Sequence, residues 1–382
     1  MINWKLKTRV QQPIGLDIGH NYIKMIQLAV NEGQIRVTAA DKVRIDPGIN
    51  GDKTERRNFV ISAIKQMLTN GNFRGTNVVS CLPNDELKIT SLRLAEEEDA
   101  EIEQALRKEA FQRFGLDADK DIINYVLAGN VKHGDEVKNE LILFAVDSET
   151  IKSHIEMLEQ ACLRPVSIDT IPYALFRGFE RSLRRREDKE QTVVFVDIGS
   201  RFTTVVFGRN GEISFVKQIP IGGDNFNHQI ASKLGVSTNE AEILRDRLRT
   251  EKLQKTHPEM DTECLDISTR QVMVDTLTAV AEELAREISL CFSYYTVTFR
   301  GKRVERAIFA GGEAYENILL DVLRRQLTVE ISVGQPLRGF DMMDVKFDSD
   351  RRGLLCEWAV AVGLSLKGWN RVDDQSDSYE RN

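Results

Sequence analysis

Two distant stretches of this chain carry the same local plan. Ile14-Gly15-Leu16-Asp17-Ile18-Gly19 leads into the apolar run from Tyr22 to Leu28 and a turn ending at Gly33. Phe195-Val196-Asp197-Ile198-Gly199 leads into Thr203 to Phe207 and a turn at Asn210-Gly211. Each reads as strand, tight glycine turn, strand, second turn and third strand. Each sets one aspartate and one glycine at the tip of its first hairpin. A glycine turn lets backbone N–H groups converge on phosphate oxygens, because no Cβ stands in the way. A magnesium ion carried by a nucleotide keeps several waters and takes only one or two carboxylates. Asp17 and Asp197 are placed to supply these from opposite sides. One Asp-x-Gly turn is ordinary in hairpins. Two copies with matching flanks predict two related halves that grip a phosphorylated ligand between them.

At 382 residues the chain can hold two lobes or more, each with its own core. Its hydrophobic content of 41% and charged content of 29% are those of a soluble globular protein. The net charge of −7 argues against a general nucleic-acid binder, which would be basic. No apolar run reaches the length of a membrane span, and no signal-peptide pattern opens the chain. The five cysteines are scattered without a Cys-x-x-Cys pair, which reads as reduced thiols in a cytosolic protein. The five histidines make no metal-binding spacing. His20, in the first glycine turn, reads either as an exposed turn residue or as a donor to phosphate.

Met1 to Gln12 reads as a leader strand or flexible arm, too short to hold a membrane surface by itself. Three strands follow over about 13–46. A helix is expected over Lys53 to Asn70, stopped by Gly71, and a buried strand over Val78 to Leu82. The pattern then changes. Leu87 to Leu94 alternates as a strand, Glu96 to Phe114 is a helix with an acidic first turn, and Ile122 to Val131 and Asn139 to Val146 are strands joined by a polar loop. Ser148 to Ala161 closes this compact α+β unit as a helix, with Ser148 as its cap. A helix over Ile171 to Leu183 leads to the charged stretch Arg184 to Glu190, a solvated connection. Three strands occupy about 192–220, and Gly222-Gly223-Asp224 opens a helix, a place suited to anions or to a plain cap. Ser237 to Leu248 is a short helix and Arg270 to Thr298 a long one. Val304 to Phe309 is a strand ending in Ala310-Gly311-Gly312, a third glycine turn, where an adenine ring or ribose can approach the backbone. Arg352 to Leu366 is a last apolar helix, and the polar residues from Asn370 onward read as disordered.

This order of parts resembles the two-lobed actin/Hsp70-like ATPase fold, an α/β architecture, here with an inserted α+β subdomain in the first lobe. Within it the chain resembles the PilM family, actin-like cytoplasmic components of type IV pilus assembly. The matching segments are Gly15-Leu16-Asp17-Ile18-Gly19 with Ile23-Lys24, Val196-Asp197-Ile198-Gly199, Ile219-Pro220-Ile221-Gly222-Gly223-Asp224 and Ala310-Gly311-Gly312. The insertion also looks like the relocated subdomain of the cell-division protein FtsA. The resemblance divides the chain into a first-lobe core at 1–84 and a partner-binding insertion at 85–165. A first-lobe helix and connection at 166–190 lead to the second-lobe core at 191–225 and 300–352. A second-lobe helical subdomain occupies 226–299, a helix returning to the first lobe 353–369, and the tail 370–382.

The resemblance implies ATP and Mg²⁺ as cofactors. Asp17 and Asp197 would position Mg²⁺ through water. Gly19, His20, Asn21, Gly199 and Ser200 would face the phosphates, with Lys24 and Thr203 assisting. Gly223 would lie near phosphate or ribose, Glu283 and Glu287 on the long helix would reach the ribose, and Gly311 and Gly312 would line the adenine site. No catalytic Gln or Glu stands in a matched motif, so slow or absent hydrolysis is expected. The implied role is a scaffold at the cytoplasmic face of the inner membrane. It would bind the cytoplasmic N-terminal tail of a PilN-like membrane protein in the groove between first lobe and insertion, with the pilus motor ATPase and platform protein as further partners. Contact with the membrane would be only through the partner. Two other readings use the same fold. A sugar-type small-molecule kinase would need a substrate pocket and a general base. An FtsA-like polymerising ATPase would end in an amphipathic helix, where this chain has Asp373-Asp374-Gln375-Ser376-Asp377.

Overall fold

The computed structural model describes residues 10–31, 34–49, 51–95, 99–133, 136–181, 183, 191–254, 265–299, 303–347 and 354–368. The first part of the chain forms β1 (Val10–Gln11), β2 (Ile14–Ile18), β3 (Tyr22–Asn31), β4 (Gln34–Arg44), α1 (Lys53–Asn70) and β5 (Asn77–Cys81). Next come β6 (Lys88–Ala95), α2 (Asp99–Phe114), β7 (Ile122–His133), β8 (Glu136–Val146), α3 (Ser148–Gln160), β9 (Arg164–Asp169) and α4 (Ile171–Glu180). The later part holds β10 (Val193–Ile198), β11 (Thr203–Arg209), β12 (Glu212–Ile219), α5 (Gly223–Leu234), α6 (Thr238–Gln254) and α7 (Ile267–Thr298). It ends with β13 (Arg306–Ala310), α8 (Asn317–Gln326), β14 (Glu330–Val333) and α9 (Ala359–Ser365).

Two sheets repeat one topology. The first runs β4-β3-β2-β5-β9, with the short β1 pairing β3 beyond the end of β2. The second runs β12-β11-β10-β13-β14. In each, three antiparallel strands are followed by two parallel ones, reached through helical crossovers. The central strands β2 and β10 are buried nearly throughout, as their unbroken apolar runs require. Even the bulges correspond, falling at Gln27/Leu28 in one sheet and Phe207/Gly208 in the other.

Between the sheets lie α4 and α9. Their backbones nearly touch: a Cβ on Gly363 would stand 1.8 Å from the Ala174 carbonyl oxygen. Only glycine permits that approach. The same α9 packs on β2 directly beneath the first hairpin, through Ala361 and Ser365. The insertion is a three-stranded sheet, β6-β8-β7, covered on one face by α2 through Ile102, Leu106, Ala110, Leu141 and Leu143.

Several local expectations are corrected. The loop between the insertion's strands is mostly strand, because β7 and β8 continue to His133 and from Glu136. Helix α3 is capped by Asp147 rather than Ser148: the Asp147 carboxylate accepts from the Thr150 N–H at 2.8 Å. Helix α3 also packs with the first sheet, where Met157 and Leu158 join Ile14, Ile64 and Val78, rather than on the insertion's sheet. Helix α6 runs on to Gln254, and the last helix is shorter than expected, seven residues flanked by 3₁₀ turns. The turn at Gly33, the acidic residues Glu96 to Glu98, the stretch Arg184 to Glu190, Met1 to Arg9 and the tail from Asn370 lie outside the described residues.

Candidate functional site

The tips of the two first hairpins open on one cleft of about 910 Å³. Each tip is closed in the same way. The Gly19 N–H donates to the Tyr22 carbonyl at 2.9 Å, and the Gly199 N–H to the Phe202 carbonyl at 3.0 Å. Antiparallel register sets Asp17 opposite Lys24 and Asp197 opposite Thr204. Of the residues singled out from the sequence, Asp17, Gly19, His20, Asn21, Lys24, Asp197, Gly199, Ser200, Gly223, Gly311 and Gly312 line the cleft.

Three of the expected residues do not. Thr203 is fully buried, and its hydroxyl donates to the Ile221 carbonyl at 2.7 Å, so it braces the hairpin from behind. Glu283 lies on a separate shallow surface hollow with Glu282, Arg286 and Gln326. Glu287 is on the same helix, one turn further along and outside the cleft lining. The cleft wall is instead α6, whose Glu242, Arg245, Asp246 and Arg249 recur at helical spacing and all face inward.

The two aspartates sit in different fields. Lys24 Nζ lies 2.8 Å from Asp17 Oδ2, with both side chains largely buried. Burial works against the Lys24 charge, but the Asp17 carboxylate outweighs it and holds the ammonium above its usual range. Among the described residues Asp197 has no such cation at contact. Burial, and then the nearby Asp17 charge, push its carboxyl up to about 6, with Lys24 offsetting part of the effect. Asp224 at the start of α5 is also pushed up to about 6, by burial and then by Glu313. His20 goes the other way, down to about 4, through burial and then Arg201 and Arg56. Its Nε2 stands 3.7 Å from Asp224 Oδ2, but a neutral imidazole makes this a polar contact at pH 7 rather than an ion pair.

Backbone and guanidinium groups hold the tips in place. Arg56 donates to the Gly19 carbonyl at 2.8 Å and to the His20 carbonyl at 3.1 Å, fixing the first turn from α1. The Gly223 and Asp224 N–H groups donate to the Gly199 and Ser200 carbonyls at 3.0 and 2.7 Å, fixing the second from α5. Gly311, at φ +89°, backs directly on Asp197: a Cβ there would stand 2.7 Å from Asp197 Oδ1 and 2.4 Å from the Ile198 carbonyl oxygen. Gly312 faces open space.

The far wall is a charge network. Arg245 and Arg249 reach Glu313 Oε2 at 2.6 and 2.7 Å, and Arg249 also pairs Glu316 at 2.8 Å. Burial opposes the Glu313 charge, but the two guanidiniums prevail and hold its carboxyl below the usual range. Tyr315 donates to Glu357, and Arg44 of β4 bridges to Glu242 of α6 at 2.8 Å, linking the two sides across the cleft. Sequence reasoning missed Arg56, the α6 stripe, Glu313 and Glu357; only the stripe had a readable signal, four polar residues spaced as one helix face.

The arrangement is suited to a polyphosphate carrying a hard cation. Among the described residues no group of three or more His, Cys, Asp or Glu side chains is disposed to hold a metal alone. A divalent ion carried on phosphates keeps most of its positions filled, and two carboxylates suit the few outer positions left open.

Comparison with known proteins places this geometry. The family model described as Type IV pilus assembly protein PilM matches residues 15–369. Among solved structures, a chain of the PilM-PilN type IV pilus biogenesis complex superposes with a TM-score of 0.73 at 21% identity, covering 94% of this chain and 99% of that one. The ethanolamine utilization protein EutJ from Carboxydothermus hydrogenoformans superposes at 0.53 and 14% identity, covering 94% and 90%. Cell division protein FtsA of Bacillus subtilis (strain 168) is 35% identical over 63 residues, 16% of this chain and 14% of FtsA. The fold is the actin-like ATPase fold.

Proposed function

The chain belongs to the PilM family of type IV pilus assembly proteins, and from that premise we propose that it is a nucleotide-binding scaffold of the pilus machine. The observation that carries the reading is the pair of hairpins of equal register turned to one cleft. ATP with Mg²⁺ is the ligand this cleft suits best. Asp17 and Asp197 would hold the metal through water, and the N–H groups just past the tip glycines, at His20, Asn21 and Ser200, would meet the phosphates, while those of Gly19 and Gly199 close the turns. Gly311 and Gly312 would admit the base, with Asp246 of α6 in reach of the sugar. When bound, the cation neutralises phosphate charge between the two carboxylates.

Hydrolysis further requires a group that orients the attacking water. Glu313 and Glu357 are already bonded to Arg245, Arg249 and Tyr315. This supports slow turnover, with the nucleotide acting chiefly to close the lobes, which it does only as far as it prefers the closed state.

The related chain in the PilM-PilN complex pairs with PilN. By extension, this chain would hold the cytoplasmic N-terminal tail of a PilN-like inner-membrane protein. The seat is the groove between first lobe and insertion, where an extended peptide gains affinity from backbone bonds and side-chain pockets. Among the described residues no helix is long and apolar enough to cross a membrane. The partner would therefore tether the chain to the cytoplasmic face, next to the motor ATPase and platform protein. A pull-down with a synthetic PilN-type tail tests this. Retention of the chain on the peptide is expected; no retention, with or without Mg-ATP, would overturn it.

A further inference from the structure

The insertion belongs to the first lobe by chain order, yet its contacts lie largely with the second. The face of its sheet opposite α2 presents Ile142, Phe144 and Val146, which join one apolar cluster with Val206, Ile213 and Val216 of the second sheet and Phe176 and Phe179 of α4. Glu140, fully buried on β8, accepts from Arg93 Nε at 2.7 Å and from the Tyr294 hydroxyl of α7 at 3.1 Å. Arg93 donates onward to Thr298 Oγ1 of α7 at 2.6 Å. The entering segment is tied the same way. Asn84 donates to Thr204 Oγ1 at 3.1 Å and accepts from Gln218 at 2.9 Å, and Arg201 pairs Asp85 at 3.0 Å. Toward the first lobe, the insertion is held where its chain leaves it: the Ser148 N–H donates to Asp121 Oδ1 at 3.1 Å and its hydroxyl to the Lys120 carbonyl. The first lobe reaches the same cluster through Leu82, Ile151, Ile168 and the α4 residues Leu175, Phe176 and Phe179, and the Tyr173 ring of α4 stands 5.8 Å from Phe144.

We propose that the insertion is a mechanical part of the second lobe, so that nucleotide bound between the lobes reshapes the groove between insertion and first lobe. This rests on the nucleotide-binding reading above. Packed interfaces of this kind move as units rather than deforming continuously. The boundary between units then falls at two short connections, Leu82-Pro83 on entry and Val146-Asp147 on exit. Asp147 stays with the first lobe as the cap of α3, while Asn84 is bonded to the second. A partner tail lying in the groove would meet one shape in the nucleotide-free chain and another in the bound chain. Coupling through one moving wall needs no further contact between the two ligands.

Spin-label distances test this in the full chain, in a background carrying Cys162→Ser and Cys264→Ser. One pair, Lys65→Cys with Lys108→Cys, spans first lobe and insertion; the other, Lys108→Cys with Glu282→Cys, spans insertion and second lobe. Saturation with Mg²⁺ and a non-hydrolysable ATP analogue is confirmed by titration on the same samples. The first distance is expected to shift by more than about 2 Å, a loop- or domain-scale change, while the second holds. A shift of the second pair with the first unchanged overturns the proposal, and so does no shift in either on saturated protein. Failure of the titration itself would count against nucleotide binding instead. In that case the ligand-free arm decides: Arg93→Ala is expected to broaden the distances of the second pair, and an unchanged width overturns the proposal.

Discussion

The two hairpins are built alike and charged differently. Both place an aspartate two residues before the tip glycine, close the turn with the same backbone hydrogen bond, and carry a bulge at the same distance beyond it. Across the ladder, however, Asp17 faces Lys24, whereas Asp197 faces Thr204, whose hydroxyl accepts from Asn84. The charge of the first aspartate is balanced inside the protein by Lys24; the second, with its carboxyl raised to about 6, has a threonine opposite it. Backbone repetition therefore makes the cradle, and side-chain asymmetry divides the work within it. Asp17 with Lys24 is a fixed dipolar floor, and in the proposed reading Asp197 is the member that would change state when a metal-bound ligand arrives.

The sharpest test of that asymmetry is stability. Lys24→Met leaves the Asp17 carboxylate buried without its partner and should cost about 3 kcal/mol in denaturant unfolding. The matching change in the other hairpin, Thr204→Val, removes one neutral hydrogen bond and should cost roughly 1 kcal/mol. Equal losses would break the comparison. Next in size is Gly311→Ala, which forces a Cβ toward Asp197 and an unfavourable positive φ; about 2 kcal/mol of stability should go. Gly312→Ala, facing open space, should leave unfolding unchanged.

The pH dependence follows from the same difference. Burial raises the Asp197 carboxyl, so the free chain holds that proton until about pH 6, while a cation favours the ionised form. Mg-nucleotide affinity should therefore rise with pH through about 6, roughly tenfold between pH 5 and 7.5. Asp197→Asn should remove the step beyond the nucleotide's own titration. His20→Gln should leave it in place, because His20, at about 4, is already neutral across that window. The smallest effect concerns the sugar: Asp246→Ala should weaken nucleotide binding about threefold, the worth of one modest hydrogen bond. Glu283→Ala and Glu287→Ala should not change it.

Both hairpins were legible because strand alternation and a fixed acid–glycine spacing are local properties. Helix α1 was legible to its ends for the same reason: its apolar stripe stops where the Gly71 N–H closes on the Met67 carbonyl. The wall of the cleft was not. On the long α7, Glu283 and Glu287 are charged residues at helical spacing, and so are Glu242, Arg245, Asp246 and Arg249 on α6. Periodicity finds such a face without saying whether it meets solvent or a cleft. Thr203 misled because adjacency to a tip does not reveal which way a hydroxyl points. Ser148 and Asp147 are both capable caps, and only the backbone decided between them. The allegiance of α3 and of the insertion is set by packing across long chain separations, which no local signal records.

In the proposed reading both hairpins meet one metal-bound triphosphate. A crystal structure with Mg²⁺ and a non-hydrolysable ATP analogue measures this directly. The phosphates are expected between Gly19–Asn21 and Gly199–Ser200, with the metal's waters directed at Asp17 and Asp197. A triphosphate touching one hairpin alone, or bound outside the cleft, would contradict it.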